Sequence, residues 1–283
     1  MRIAITGGTG LVGRFLVEEA LAAGDCVTVL TRSAPARDIF SGPVAHQPFD
    51  LAAPAPRLEG CDALIHAGFA HLPGRYRGGE GDDPEGFLHR NLEGTRRLFE
   101  AAVSQGVPRI VFLSSRAVLA GHPAGSDLDE ALPPRPDSLY GEVKARAEAA
   151  LAALPVAGAS LRATGVYGPA GPGQRHKWAE LFAAFRAGEE IAPRRGTEVH
   201  GADLAAGLRL LLTAQAQGVF HASDIMLDRR DLLAEVARLT GCPHPLPARS
   251  AAPVSALGCA RLRALGWQPG GMSRLRASLP AMI

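Results

Sequence analysis

The chain has 283 residues, 47% of them hydrophobic, and a formal net charge of +2. That content supports one large core and excludes a disordered chain, and the near-neutral balance excludes a global field that would demand nucleic acid or an anionic membrane. Cys26, Cys61, Cys242 and Cys259 stand far apart with no C-x-x-C spacing, so neither a zinc or redox motif nor a disulfide framework is expected, and a reducing cytoplasm fits.

In chain order, residues 2–6 are a short β-branched run that ends in a glycine cluster, and this early strand leaves no room for a signal peptide. A helical pattern at 11–23 stops at Gly24, and a strand follows at 26–31. Residues 33–60 are rich in Pro and Ala, with a weak strand at 44–49, and 62–67 read as a buried strand. Residues 70–86 form a long loop by their Gly, Pro and mixed charge. A helix at 87–105, a strand at 109–114, a loop at 116–137, a helix at 138–153 and a strand at 156–162 come next. No apolar run reaches the ~20 residues that span a bilayer.

Strands that are near-continuous apolar runs, alternating with helices, predict a Rossmann-type doubly wound parallel sheet covered on both faces. That unit is assigned to residues 1–168. Regularity weakens afterwards, with helices expected at 175–188, 203–215 and 229–240 and short strands at 197–200 and 218–222. Residues 169–283 therefore read as a small C-terminal substrate lobe, with exchange of chain between the two units allowed.

Residues 6–13, TGGTGLVG, lie between the first strand and the first helix. Gly7 permits the tight turn, Gly10 admits a pyrophosphate and Gly13 lets the helix pack against the sheet, while Thr9, Leu11 and Val12 supply the backbone between them. The helix start then offers N–H groups to phosphates; a glycine-rich turn without ligand is the plainer alternative. At the end of the second strand, no acid is present in Thr31-Arg32-Ser33. Arg32 can pair with a ribose 2′-phosphate, which favours NADP while leaving NAD open; otherwise it is a solvated charge at a strand end.

Tyr140 and Lys144 form a Y-x-x-x-K on a predicted helix, so phenol and ammonium share one face. A free phenol is too weak an acid to serve as a base at neutral pH, and a nearby ammonium favours its phenolate. Tyr140 could then take a proton from an alcohol or return it to a ketone. Ser115 closes the fifth strand and would orient the reacting oxygen; alone, it would be a satisfied strand-end hydroxyl. Histidines are scattered without ligand spacing, so no metal is expected.

These motifs together resemble the short-chain dehydrogenase/reductase superfamily, and the GGTG-L-V-G form is similar to its extended branch, the NAD-dependent epimerase/dehydratase family. Asn91-Leu92-Glu93-Gly94-Thr95, Leu161 to Pro169, Val199 to Ala205 and Leu265-Gly266-Trp267 with Pro269 extend the resemblance over nearly the whole chain. It implies that Ser115, Tyr140 and Lys144 are catalytic, and that Tyr140 and Lys144 also contact the dinucleotide. Asp50 and Leu51 would contact adenine, Ala67 and Gly68 would pass beneath the pyrophosphate, and Ala163 and Val166 would cover the nicotinamide. A homodimer built on the helices 87–105 and 138–153 is also implied.

Departures narrow the substrate. Ala163 replaces a proline of the family, a tyrosine after Ser115 is missing, and Gly196 stands where nucleotide-sugar members carry an arginine. The expectation is reversible hydride transfer at a secondary alcohol or carbonyl of a smaller carbohydrate, such as a polyol, uronate or sugar acid. Arg75, Arg77, His176 and Lys177 lie in loops that should overhang the nicotinamide, either as solvated charge or as a site for a carboxylate alongside Ser115. Rival readings are a sugar or nucleotide-sugar epimerase with tightly held cofactor, and an NADP-binding sensor without turnover. Arg116 and Ala117 occupy the places where a dehydratase would need an added acid and base.

Overall fold

The computed structural model describes residues 1–72 and 79–283. Its strands and helices follow in the order β1 Arg2–Thr6, α1 Gly13–Ala22, β2 Cys26–Thr31, β3 Ala45–Pro48, β4 Ala63–His66, α2 Pro84–Leu88, α3 Gly94–Ser104, β5 Arg109–Ser115, β6 Asp127–Leu128, α4 Leu139–Ala152 and β7 Ala157–Ala163. The remainder holds β8 Gly165–Tyr167, α5 Ala179–Arg186, β9 Arg195–His200, α6 Gly201–Thr213, β10 Gly218–Ala222, β11 Ile225–Asp228, α7 Arg229–Thr240, β12 Ala256–Leu257, α8 Ala260–Ala264 and α9 Gly271–Ser278.

Seven strands form one parallel sheet in the order β10-β7-β5-β4-β1-β2-β3. Its apolar strands are buried on both faces, as a doubly wound sheet requires. On one face Ile3, Ile5 and Val29 pack against Leu16 and Val17 of α1 and Leu204, Leu208 and Leu211 of α6. On the other, Leu64, Ile110 and Phe112 pack against Leu98 and Phe99 of α3 and Val143, Ala147 and Leu151 of α4. Pro48 is tolerated in β3 because that strand is the sheet's edge.

A second sheet, β11-β9-β8, carries a separate core in which Tyr167 and Trp178 meet α5, α7 and α9. Residues beyond 168 also return to the main sheet: β10 pairs with β7, and α6 covers the same face as α1.

The expected elements are present with shifted ends. The expected helix 87–105 begins earlier, at Pro84, because Asp83 caps it by accepting from Gly86 N at 2.8 Å and proline is favoured in the first turn. A π-turn at His89–Glu93 separates α2 from α3. The expected helix 175–188 is shorter, and β11, α8 and α9 are too short to leave a periodic signal. No helix among the described residues is long and apolar enough to cross a membrane.

Candidate active site

The glycine loop, Arg32, Asp50, Leu51, Ala67, Gly68 and Ala163 lie at, or just beyond, the carboxyl ends of strands of the main sheet, where open α/β sheets bind ligands, while Tyr140 and Lys144 come from α4 and Val166 from β8. Gly7 follows β1 with φ +68°, a left-handed conformation that suits glycine. A Cβ on Gly7 would lie 2.8 Å from Cα and N of Gly68, so the two loops cross in a contact that leaves no space for a side chain. Gly10 N donates to Gly7 O at 3.0 Å, which folds Thr9, Leu11 and Val12 into a compact turn before Gly13 opens α1. That helix has no side-chain cap and no acid in its first turn, so its leading N–H groups are available to a phosphate.

A buried network fixes the crossing. Thr6 Oγ1 accepts from the backbone N–H of Ala67 at 3.1 Å and of Gly68 at 2.9 Å. Its own proton therefore goes to His66 Nδ1 at 2.7 Å, and His66 Nε2–H donates to Thr95 Oγ1 at 2.9 Å. Burial, aided by the nearby Lys144 charge, lowers the His66 pKa to about 3, which keeps the ring neutral. Asn91, inside the π-turn, accepts from Ala70 N at 2.7 Å and donates to Ala70 O and Phe87 O. Gly94 lets Leu51 O approach the helix. The N-x-x-G-T sequence thus acts as a staple for two ligand loops, a role that its spacing did not reveal.

Arg32 and Asp50 flank the ends of β2 and β3. Arg32 Nε lies 4.0 Å from Asp50 Oδ2 with its side chain 84% exposed, a loose pair that leaves the guanidinium able to turn.

Ser115 ends β5 and caps the following 3-10 turn, where its Oγ accepts from Ala117 N at 3.2 Å. Tyr140 lies in the first turn of α4, whose start is capped by Ser138 accepting from Gly141 N at 3.3 Å. Gly141 brings this helix against the 3-10 turn: a Cβ there would be 2.5 Å from Ala117 O. Phe69 meets the Tyr140 ring edge-on at 5.0 Å. Lys144 is buried one turn further along and donates to Leu113 O at 2.8 Å. Its ammonium is 4.5 Å from the Phe112 ring centre and 5.9 Å from that of Tyr140. Burial pulls its pKa from 10.5 to about 7, against the opposing pull of Glu148. Lys144 is thus bonded to β5 two residues before Ser115, with the Tyr140 ring 5.9 Å from its ammonium, Ala163 opposite Ser115 in the β5–β7 register, and Val166 in β8 three residues further along the chain.

Beneath them runs a network absent from the sequence reading. Glu148 accepts from Ser114 Oγ at 2.5 Å and pairs with Arg162 at 2.6 Å, and Arg162 reaches His221 at 3.5 Å. His221 Nδ1 contacts Gly258 O at 2.9 Å. Glu148 one turn after Lys144, and an arginine inside the apolar run of β7, were the available signals.

Of the residues expected to meet substrate, Lys177 is ion-paired with Glu198, and the pair fills the space next to Gly165. His176 Nδ1 accepts from Trp178 N at 3.3 Å, and burial lowers its pKa. Arg75 and Arg77 lie outside the described residues. The segment leaving β8 covers the phosphate loop, with Gln174 Nε2 donating to Thr9 O at 2.6 Å. Among the described residues no group of three or more His, Cys, Asp or Glu is placed to hold a metal.

Residues 3–222 match the family model described as the NAD dependent epimerase/dehydratase family. A uronate dehydrogenase from Pseudomonas putida is 30% identical over 52% of this chain and 53% of its own length. A dTDP-6-deoxy-L-talose 4-dehydrogenase (NAD(P)(+)) from Kitasatospora kifunensis is 33% identical over 66% of this chain and 60% of its own. The match thus spans about half the length of the first of these relatives. The solved structure of MoeE5 in complex with UDP-glucose and NAD superimposes over 100% of this chain and 97% of its own, with 27% identity and a TM-score of 0.78.

Proposed function

Because the chain belongs to the NAD dependent epimerase/dehydratase family, we propose that it is a nicotinamide-dinucleotide oxidoreductase. It moves a hydride reversibly to or from a secondary alcohol or carbonyl carbon of a carbohydrate-like substrate. The observation that carries this reading is the convergence of Ser115, Tyr140 and Lys144 at the end of β5, in line with the glycine loop after β1.

The residues fit the cofactor. Gly7, Gly10 and Gly13 with the uncapped start of α1 would take the pyrophosphate, with Ala67 and Gly68 passing beneath it. Arg32, Asp50 and Leu51 would face the adenosine, and Ala163 and Val166 the nicotinamide. The bound dinucleotide supplies or accepts the hydride. Tyr140 carries the proton at its phenol oxygen. Ser115 Oγ already accepts an N–H, so its own proton can be given to the substrate oxygen. Lys144 favours the phenolate when charged, and Glu148 helps it keep that charge.

The exposed Arg32, in a strand end Thr31-Arg32-Ser33 that carries no acid of its own, supports NADP over NAD, its pair with Asp50 being loose. Four unpaired cysteines support a reducing cytoplasm. The pairing of α3 and α4 across a two-fold axis would give a homodimer. Epimerisation with a retained dinucleotide is the second reading, since the same Ser115, Tyr140 and Lys144 could oxidise a carbinol carbon and then return the hydride to it.

Tyr140→Phe tests the assignment. Dinucleotide binding and melting temperature should hold while turnover on a panel of aldoses, uronates and polyols falls by ~10²–10⁴. Near wild-type turnover would instead favour a binding protein. In the same panel, a dehydrogenase changes NADPH stoichiometrically and an epimerase does not.

A further inference from the structure

The chain leaving β8, residues 168–174, is held at three places by residues 9–15 of the phosphate loop and α1. Arg14 Nη2 donates to Pro169 O at 2.8 Å. Gln174 Nε2 donates to Thr9 O at 2.6 Å. Phe15 occupies the space that a side chain at Gly168 would need, since a Cβ there would be 2.6 Å from its ring, and it meets His200 edge-on at 5.5 Å. Pro169 and Pro172 restrict the backbone of the segment, and Gln174 N donates to Gly171 O at 3.0 Å, a turn that holds the glutamine toward Thr9. The result is a stiff strap, anchored beyond Gln174 in the second core by Trp178.

The same contact contains two buried polar atoms without hydrogen-bond partners, Arg14 Nε and Gln174 Oε1. A Cβ on Gly171 would lie 3.0 Å from the first and 3.2 Å from the second, so an unpaired donor and an unpaired acceptor converge beside that glycine. Leaving a buried polar group unpaired costs at least as much as a typical hydrogen bond contributes. Two such groups work against the two bonds and the Phe15 packing that close the strap, which leaves it shut but cheap to open.

Thr9 and Arg14 bracket Gly10 and Gly13, so the strap is fastened to the backbone that would hold the pyrophosphate. We propose that Gln174 and Arg14 are positioning residues that latch this strap over the bound dinucleotide, and that the latch sets how long the dinucleotide stays. The proposal rests on the dinucleotide reading of the glycine loop. A weak latch suits an enzyme that exchanges oxidised for reduced cofactor in every cycle, whereas a tight one would suit an enzyme that recycles it in place.

The test is stopped-flow release of NADPH and NADH, chased by excess oxidised cofactor and followed by nicotinamide fluorescence. Wild type, Gln174→Ala, Gln174→Glu and Arg14→Gln are compared. Gln174→Ala should speed release by a few-fold, up to about the tenfold of one lost hydrogen bond, because the Thr9 bond is lost together with the unpaired Oε1, with little change in association rate or melting temperature. Gln174→Glu should also release faster than wild type, because its carboxylate has no N–H for the Thr9 carbonyl, with the nearby Arg14 guanidinium limiting the gain. Release within twofold of wild type in all three variants would overturn the latch. So would a rise in release that merely follows a fall in melting temperature in each of them. Wild-type protein that binds neither dinucleotide would overturn the reading of the glycine loop itself.

Discussion

Replacing Lys144 by methionine should stabilise the dinucleotide-free protein while removing its chemistry. The residue is 3% exposed, and burial lowers its pKa from 10.5 to about 7. The unfolded chain therefore binds more protons than the folded one between those two values. Stability rises as pH climbs through that window and is lost as pH falls through the folded value near 7. The gap corresponds to about 5 kcal/mol at its acid limit, and to about 4 kcal/mol at pH 7, where the folded lysine is half protonated. Methionine fills the place of the lysine stem with a thioether that suits the Phe112 and Phe69 rings now beneath the ammonium, and has no charge to desolvate. It forfeits the hydrogen bond to Leu113 O, a loss of about 1 kcal/mol, so a net gain of about 2–3 kcal/mol is expected at pH 7. Denaturant titration without cofactor would measure it at pH 7 and pH 9. The advantage of the variant should shrink by about 2 kcal/mol between the two. A variant no more stable than wild type at pH 7, or an advantage that grows with pH, would refute the reasoning.

Two further substitutions probe separate parts of the site. Gly141→Ala would drive a Cβ to 2.5 Å from Ala117 O and 3.0 Å from Pro136 Cβ, so α4 must move away from the turn that carries Ser115. Turnover should fall by about 10²-fold, with about 1–3 kcal/mol of destabilisation and dinucleotide affinity kept within a few-fold by calorimetry. Arg32→Asp should reverse the cofactor order from NADP to NAD in calorimetric titrations, and wild-type protein that binds NAD as tightly as NADP would count against the role given to Arg32.

The parts legible in sequence are those where backbone geometry restricts the residue type. Gly7 needs its left-handed conformation and its contact with Gly68, and the i, i+4 spacing of Tyr140 and Lys144 fixes a shared helix face. Strands buried on both faces declare themselves as apolar runs. What stayed hidden were pairings between residues distant in the chain. Arg162 meets Glu148 from 14 residues away and His221 from 59 away, and each partner lies on a different element, so no helix or strand period links them. The Lys177–Glu198 pair was hidden for the same reason, and Lys177 alone read either as solvated loop charge or as part of a site for a carboxylate. The expected start at 87 missed a helix that begins at Pro84 because the cap, Asp83, sits among other acids and glycines that read as loop.

The return of β10 to the main sheet bears on how the protein is made. During synthesis β7 is complete at Ala163, but its outer neighbour begins only at Gly218. At ordinary translation rates of 5–20 residues per second, the open flank of β7 waits roughly 3–10 s for its partner. A bare parallel edge is a template for pairing with another nascent chain, and a charged residue turned inward is one of the devices that blunt it. Arg162 lies on that edge strand, and its partner Glu148, on α4, has already been made. His221 and Gly258 O arrive later and complete the network. The arginine that finishes as a buried strut thus begins as a guard on the unfinished sheet.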